Sequence, residues 1–180
     1  MTTLNELTGT YALDSSHSEV GFVTRHAMVT KVRGSFTEFS GTATTGPNLQ
    51  DASIEVSIDV ASVNTRSEDR DAHLRSADFF DVENFPTIRF VSTSIEADGD
   101  DLQVTGNLTI KDVTRPVTIP FEYNGQVVDA YGATRVGLNG SVQVLRSDFG
   151  LTWNVALEAG GVLVSDKIQL NFDISAVKQG

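Results

Sequence analysis

Strict alternation of apolar and polar residues constrains this chain more than any other feature. Val20, Phe22, Thr24 and His26 fall on one parity, with Glu19 and Arg25 on the other. Ile54, Val56, Ile58 and Val60 alternate with Glu55, Ser57 and Asp59. Leu102, Val104, Gly106, Leu108 and Ile110 alternate with Gln103, Thr105, Asn107, Thr109 and Lys111. Val117, Ile119, Phe121 and Tyr123 follow around Thr118 and Glu122, and Val136, Leu138, Val142 and Val144 oppose Arg135, Asn139, Ser141 and Gln143. Ile168, Leu170, Phe172 and Ile174 alternate with Lys167, Gln169, Asn171 and Asp173. Period two on this scale specifies strands with one apolar and one wetted face. The breaks at Gly46-Pro47-Asn48, Asp98-Gly99-Asp100, Asn124-Gly125 and Gly160-Gly161 have turn chemistry and mostly read as hairpins, so an antiparallel sheet is expected. Its apolar face must be buried against a second sheet or by closure, and closure also removes exposed edges. Alternation does not choose between them. Strands of about eight to ten residues favour a barrel, of about eight strands. Gly34, Gly41, Gly106 and Gly140 read as strand bends.

The chain has 180 residues, which suits a single domain over 1–180, with 1–8 as an N-terminal extension. A net charge of −11 argues against nucleic acid or an anionic membrane surface as partner, so any bound anion must be met by a local basic cluster. With no cysteine, disulfides, thiolate chemistry and sulfur-ligated metals are excluded. The start, MTTLNELTGTYAL, lacks a basic region and an apolar core, and no apolar run approaches the roughly 20 residues of a membrane-spanning helix. A cytoplasmic location is expected.

One stretch breaks the pattern. Asn64 to Phe90 packs charges, one of three histidines and a burst of phenylalanine. Thr65 and Glu68 fit a capping box, and Asp71 and Arg75 stand at i and i+4. The spacing predicts a helix from Arg66 to about Ala77 within an insertion over 65–78. Its apolar stripe is thin: Ala72, Leu74 and Ala77, then Phe79 and Phe80 at its exit. Such a helix lies across an opening rather than forming a core. Arg66, Arg70 and His73 form one cationic edge, which fits either a solvated helix with internal ion pairs or a site.

Catalytic patterns are poor. Asp14, Ser15, His17 and Ser18 are triad residue types bunched in one turn without a nucleophile elbow, so Asp14 and His17 are expected to lock that turn by hydrogen bonds. A metal would need His17, His26 and His73, but residues 17 and 26 have opposite strand parity. No glycine loop cradles a phosphate, and no cofactor is called for.

Several landmarks occur together along the chain. The run Arg70-Asp71-Ala72-His73-Leu74-Arg75-Ser76-Ala77-Asp78-Phe79-Phe80-Asp81, followed by Phe85-Pro86 and Phe90, resembles the signature of the YceI-like family. So do Asp14-Ser15-Ser16-His17-Ser18, Phe22, His26, Gly34-Ser35-Phe36, Gly106 to Val117 and Arg146-Ser147-Asp148-Phe149-Gly150-Leu151, in family order over nearly the whole chain. The resemblance implies an all-β, single antiparallel lipocalin-like barrel with one short helix near its mouth. It implies a tunnel holding a polyisoprenoid, as an isoprenyl phosphate or isoprenoid quinone, or a similar long amphiphile. A homodimer is compatible with it.

On that reading the tail is lined by Val20, Phe22, Ile54, Val56, Ile58, Leu74, Phe79, Phe80, Leu102, Val104, Leu108, Phe121, Val136, Leu138, Val142, Leu170 and Phe172. The head group meets Arg66, Arg70, His73 and Arg75, with His26 and Arg146 as second choices. Asp71 can instead simply pair Arg75, and Asp148 can hold Arg146; Trp153 is expected in the core or barrel wall. A non-catalytic lipid carrier ranks first. An enzyme acting on a hydrophobic substrate with acid and base on the helix, or a filled barrel serving as an interaction module, are the alternatives.

Overall fold

Each alternating segment forms a strand. The computed structural model describes residues 3–157 and 163–180; the Gly160-Gly161 pair lies outside them. The strands are β1 (Gly9–Leu13), β2 (Glu19–His26), β3 (Thr30–Phe36), β4 (Phe39–Thr45), β5 (Ser53–Asp59), β6 (Val63–Asn64), β7 (Thr87–Asp98), β8 (Asp101–Ile110), β9 (Val113–Val128), β10 (Thr134–Leu145) and β11 (Lys167–Gln179), with one helix, α1 (Glu68–Arg75). Around β1-β4-β5-β7-β8-β9-β10-β11 the neighbours are antiparallel, and β1 pairs back onto β11. That pairing closes an eight-stranded barrel and decides against a sandwich. β2 continues β1 beyond the Asp14–Ser18 kink, pairs with β11 from Gln169 to Asp173, and carries β3 and β6 as a flap. No helix among the described residues is long and apolar enough to cross a membrane.

The Asn124-Gly125 pair is not a hairpin turn. It lies inside the 16-residue β9, where the register against β10 shifts and Gly125 takes φ 115°. One extra residue there bends the strand, so β9 leaves β8 and follows β10. The turn chemistry was real but was used for a bulge, which a closing sheet needs.

The helix also starts later than the capping-box pattern implies. Ser67, not Thr65, is the N-cap: its hydroxyl accepts from the Arg70 backbone N–H at 3.3 Å. Arg66 sits at φ 66°, outside any helix. Thr65 turns inward, where its N–H and hydroxyl both donate to Asp71 Oδ1 at 2.8 and 2.6 Å. Asp71 is therefore spent on Thr65 and does not pair with Arg75.

The antiparallel order sorts the connections to two ends. The helix end carries the β2–β3 turn, the β5–β7 connection with β6 and α1, the β8–β9 turn and the Arg146–Asp166 connection. The opposite, amino-terminal end carries the β4–β5, β7–β8 and β9–β10 turns and the segment before β1. That segment is more than an extension. A short turn at Leu4–Glu6 buries Leu4 and Leu7 in the core.

Candidate functional site

The inward parities of the strands do not fill the barrel. They surround an internal cavity of about 310 Å³ whose walls are almost wholly aliphatic and aromatic. Val20, Phe22, Ile54, Val56, Ile58, Leu102, Val104, Leu108, Phe121, Val136, Leu138, Leu170 and Phe172 all line it, as do Leu74, Phe79 and Phe80 from the α1 region. Val142 stands apart, half-buried against the core outside that lining. Sequence reasoning missed Tyr11, Leu4 and Leu7 as wall residues, because they lie in short segments where alternation is not established.

The interior glycines have a second explanation besides bending. A Cβ on Gly34 would stand 2.3 Å from the Phe22 ring, and one on Gly106 would stand 2.4 Å from the Phe90 ring. Gly140 is closed off in the same way by Phe121 and the Pro120 carbonyl. Each glycine is the gap into which a neighbouring strand's ring lies across the wall. None of the three takes a positive φ.

The predicted cations separate sharply. Arg146 lines the cavity at its helix end and is only 7% exposed. Its Nη1 donates to the Leu151 carbonyl at 2.6 Å, Nε to Ser165 at 3.0 Å and Nη2 to Val164 at 3.2 Å. Those bonds tie the Arg146–Asp166 connection shut. Asp148 is not its partner. Burial pushes the Arg146 pKa down, and the charge of Asp166 only partly opposes this. The guanidinium also lies 5.9 Å over the Phe79 ring.

The other cations point elsewhere. Arg70 donates to the Thr65 hydroxyl and carbonyl at 2.8 and 2.6 Å, and Arg75 to the Ala61 and Val63 carbonyls at 2.9 and 3.2 Å. Both pin α1 to the β6 segment. Arg66 and His26 are exposed. His73 stacks edge-on against Trp153 and Phe79, with Nε2 2.9 Å from Asp78 Oδ2, and Trp153 packs over the helix, half-buried against the core.

One polar atom in the wall was not anticipated. Thr24 lines the cavity, and among the described residues its Oγ1 is the buried side-chain polar atom without a hydrogen-bond partner. Thr24 and Arg146 belong to the same end, joined through Ser165: its N–H donates to the Arg25 carbonyl and its own carbonyl accepts from Arg146. A threonine among Val and Phe on a strand gives no sequence signal.

The bunched Asp14, Ser16 and His17 make no triad. His17 Nδ1 lies 2.9 Å from Asp14 and 3.1 Å from Ser16, so one ring nitrogen meets both, whereas a relay needs two. Asp14 instead accepts from Ser16 and, at 2.6 Å, from Arg135, which also reaches Asp129. As expected, the cluster locks the kink between β1 and β2. Among the described residues no three His, Asp or Glu side chains gather as a metal site.

The sequence model of the YceI-like domain matches residues 11–176. Protein YceI of Salmonella newport is 34% identical over 181 aligned positions, covering 99% of this chain and 92% of that protein. Among solved structures, Burkholderia cenocepacia BcnA superposes with a TM-score of 0.77 at 27% identity, over 91% of this chain and 98% of its own. A Campylobacter jejuni YCEI protein gives 0.72 at 28%, over 87% and 90%. A polyisoprenoid binding domain from Saccharophagus degradans gives 0.73 at 16%, over 94% and 98%, which speaks to fold alone. The chain belongs to the YceI-like family.

Proposed function

We propose that the barrel is a non-catalytic carrier that holds a long amphiphile of the polyisoprenoid type, its tail in the cavity and its polar head at Arg146 and Thr24. The observation that carries this is an apolar internal cavity with a buried guanidinium and an unpartnered hydroxyl together at its helix end. A polar atom buried without a partner is costly, and a ligand oxygen would satisfy it. The tail gains from burial, at about 25 cal/mol for each Å² of apolar surface removed from water. The Saccharophagus degradans domain that shares this fold is a polyisoprenoid binding domain, so the fold can house a ligand of this class.

The cavity volume limits what fits without movement. At about 310 Å³ it stands at the low end of ligand pockets, which span about 300–1,000 Å³. A long tail therefore displaces Leu4 and Leu7 at the amino-terminal end, while the head stays at Arg146. The test is solvent extraction and mass spectrometry of the purified protein, with recovery of an isoprenoid-type lipid as the expected result. A protein that yields no apolar compound, and binds no added isoprenyl phosphate or quinone, would refute the reading.

A further inference from the structure

The β2–β3 hairpin is an electrostatic exception. From Thr24 to Arg33 the chain reads TRHAMVTKVR, with three permanent cations and no acid, in a protein holding 24 acidic residues. Arg25 and Lys31 are direct cross-strand partners, and Arg33 follows on the same parity. Like charges set opposite each other destabilise a ladder. All three are exposed, and among the described residues none of them forms an ion pair.

The tip adds two independent features. Met28 is 59% and Val29 77% exposed, although both are large and apolar. The turn is closed by the Val29 N–H donating to the His26 carbonyl at 3.2 Å, and its central residues, Ala27 and Met28, take φ 50° and 67°. A tight turn of that kind favours Asn-Gly, and side chains with a Cβ are strained in it. The chain thus gives up local stability twice, in charge and in backbone, to present an apolar point between cations. The tip is held in place: Ala27 N–H donates to Leu163 at 2.7 Å and Arg25 accepts from Ser165 at 3.0 Å.

We propose that this hairpin docks the barrel on an anionic lipid surface. Arg25, Lys31 and Arg33 meet the head groups, and Met28 and Val29 enter the interface. Basic residues beside an apolar wedge are the combination such surfaces bind, and the net charge of −11 restricts contact to this patch. Docking here brings the surface to the helix end, where Arg146 and Thr24 lie. The inference does not depend on what the cavity holds.

Flotation with vesicles tests it, using phosphatidylcholine alone and a phosphatidylcholine–phosphatidylglycerol mixture. The protein is expected to float with the mixture at low salt, not with phosphatidylcholine alone, and to be released as salt rises. Arg25→Gln and Lys31→Gln should each weaken partition by about fivefold. The double change Ala27→Asn with Met28→Gly relieves the turn, so it should raise Tm while lowering partition. Unchanged binding of the cavity probe N-phenyl-1-naphthylamine in these variants separates docking from the carrier reading. Equal binding to both vesicle types, no binding to either, or indifference to the glutamine changes would overturn the proposal. Retention on a polyanionic resin without flotation would overturn it in favour of an acidic macromolecular partner.

Discussion

The two ends of the barrel are closed by different physics. At the helix end a buried cation binds three carbonyls of one connection, and Arg70 and Arg75 bind carbonyls of another. Phe149, 1% exposed, seals beneath them. At the amino-terminal end the stopper's backbone bonds run within itself, from Glu6 N–H to Thr3 and from Leu7 N–H to Leu4, and Leu4 and Leu7 hold it by burial. Hydrogen bonds fix a position, whereas apolar contact lets one greasy group replace another. One end is therefore held in place and the other is free to yield, and on the proposed carrier reading the first meets the polar head and the second the tail.

The largest effect should come from breaking the fixed end. Arg146→Leu leaves the Leu151, Ser165 and Val164 carbonyls without their donor, at about 1–3 kcal/mol for each group that stays buried. Urea unfolding should show a loss of about 3–5 kcal/mol, similar to Phe149→Ala at the same end. A loss below about 1 kcal/mol would show that the connection is held by other means, and the contrast between the ends would collapse.

Leu4→Ala with Leu7→Ala should cost less, about 2 kcal/mol, because the segment can leave without unfolding the ladder behind it. Its clearer signature lies in binding. Preference among isoprenyl chains should move toward longer ones, while Arg146→Gln should leave chain-length preference alone and weaken binding of phosphorylated relative to unsubstituted chains. Competition against N-phenyl-1-naphthylamine reads both. If the leucine variant weakens all lengths equally, the stopper is ordinary core.

What could be read in advance follows the strength of the alternation. Six strands and the part of the wall that they carry came from period two, because burial on one face leaves no freedom of register. β4 was invisible: Phe39-Ser-Gly-Thr-Ala-Thr-Thr45 offers small and polar residues where a wall needs only thin filling. β7 was hidden by its own bulge between Ser92 and Ser94, which switches parity midway. The site was less legible than the fold. Arg66, Arg70 and His73 at helical spacing, with Arg75 beside them, looked like a head-group cluster, yet backbone carbonyls claimed Arg70 and Arg75, and Arg146 faced inward. Cationic type is written in sequence, but which carbonyls a loop leaves open is not.

A smaller effect concerns acid stability on the amino-terminal side, where Arg135 bridges Asp14 and Asp129. Hydrogen bonds from Ser16 and then Arg135 hold the Asp14 carboxyl well below its usual range, and backbone bonds from Ala133 and Tyr131, with Arg135, lower Asp129. A pKa depressed in the folded state stabilises above the unfolded value, about 3.9, and that stability is lost as pH falls through the folded value. Urea midpoints should therefore hold from neutral pH to about pH 4.5 and decline below about pH 4. Arg135→Gln should flatten that decline. An unaltered acid limb in the variant would place the sensitive carboxylates elsewhere.

The last contrast, between a glycine packed on backbone and one packed on a ring, tests the wall between the two ends. At Gly106 a new Cβ meets the Val91 carbonyl at 2.6 Å as well as the Phe90 ring, so the backbone itself must move. Gly106→Ala should cost about 2–3 kcal/mol. At Gly34 the atoms within 2.9 Å all belong to the Phe22 ring, which can swing into the cavity. Gly34→Ala should therefore cost only about 1 kcal/mol while shrinking the cavity, so N-phenyl-1-naphthylamine binding should fall more than stability does. If Gly34→Ala destabilises as much as Gly106→Ala, the Phe22 ring is as fixed as backbone, and the yielding part of the barrel ends at Leu4 and Leu7.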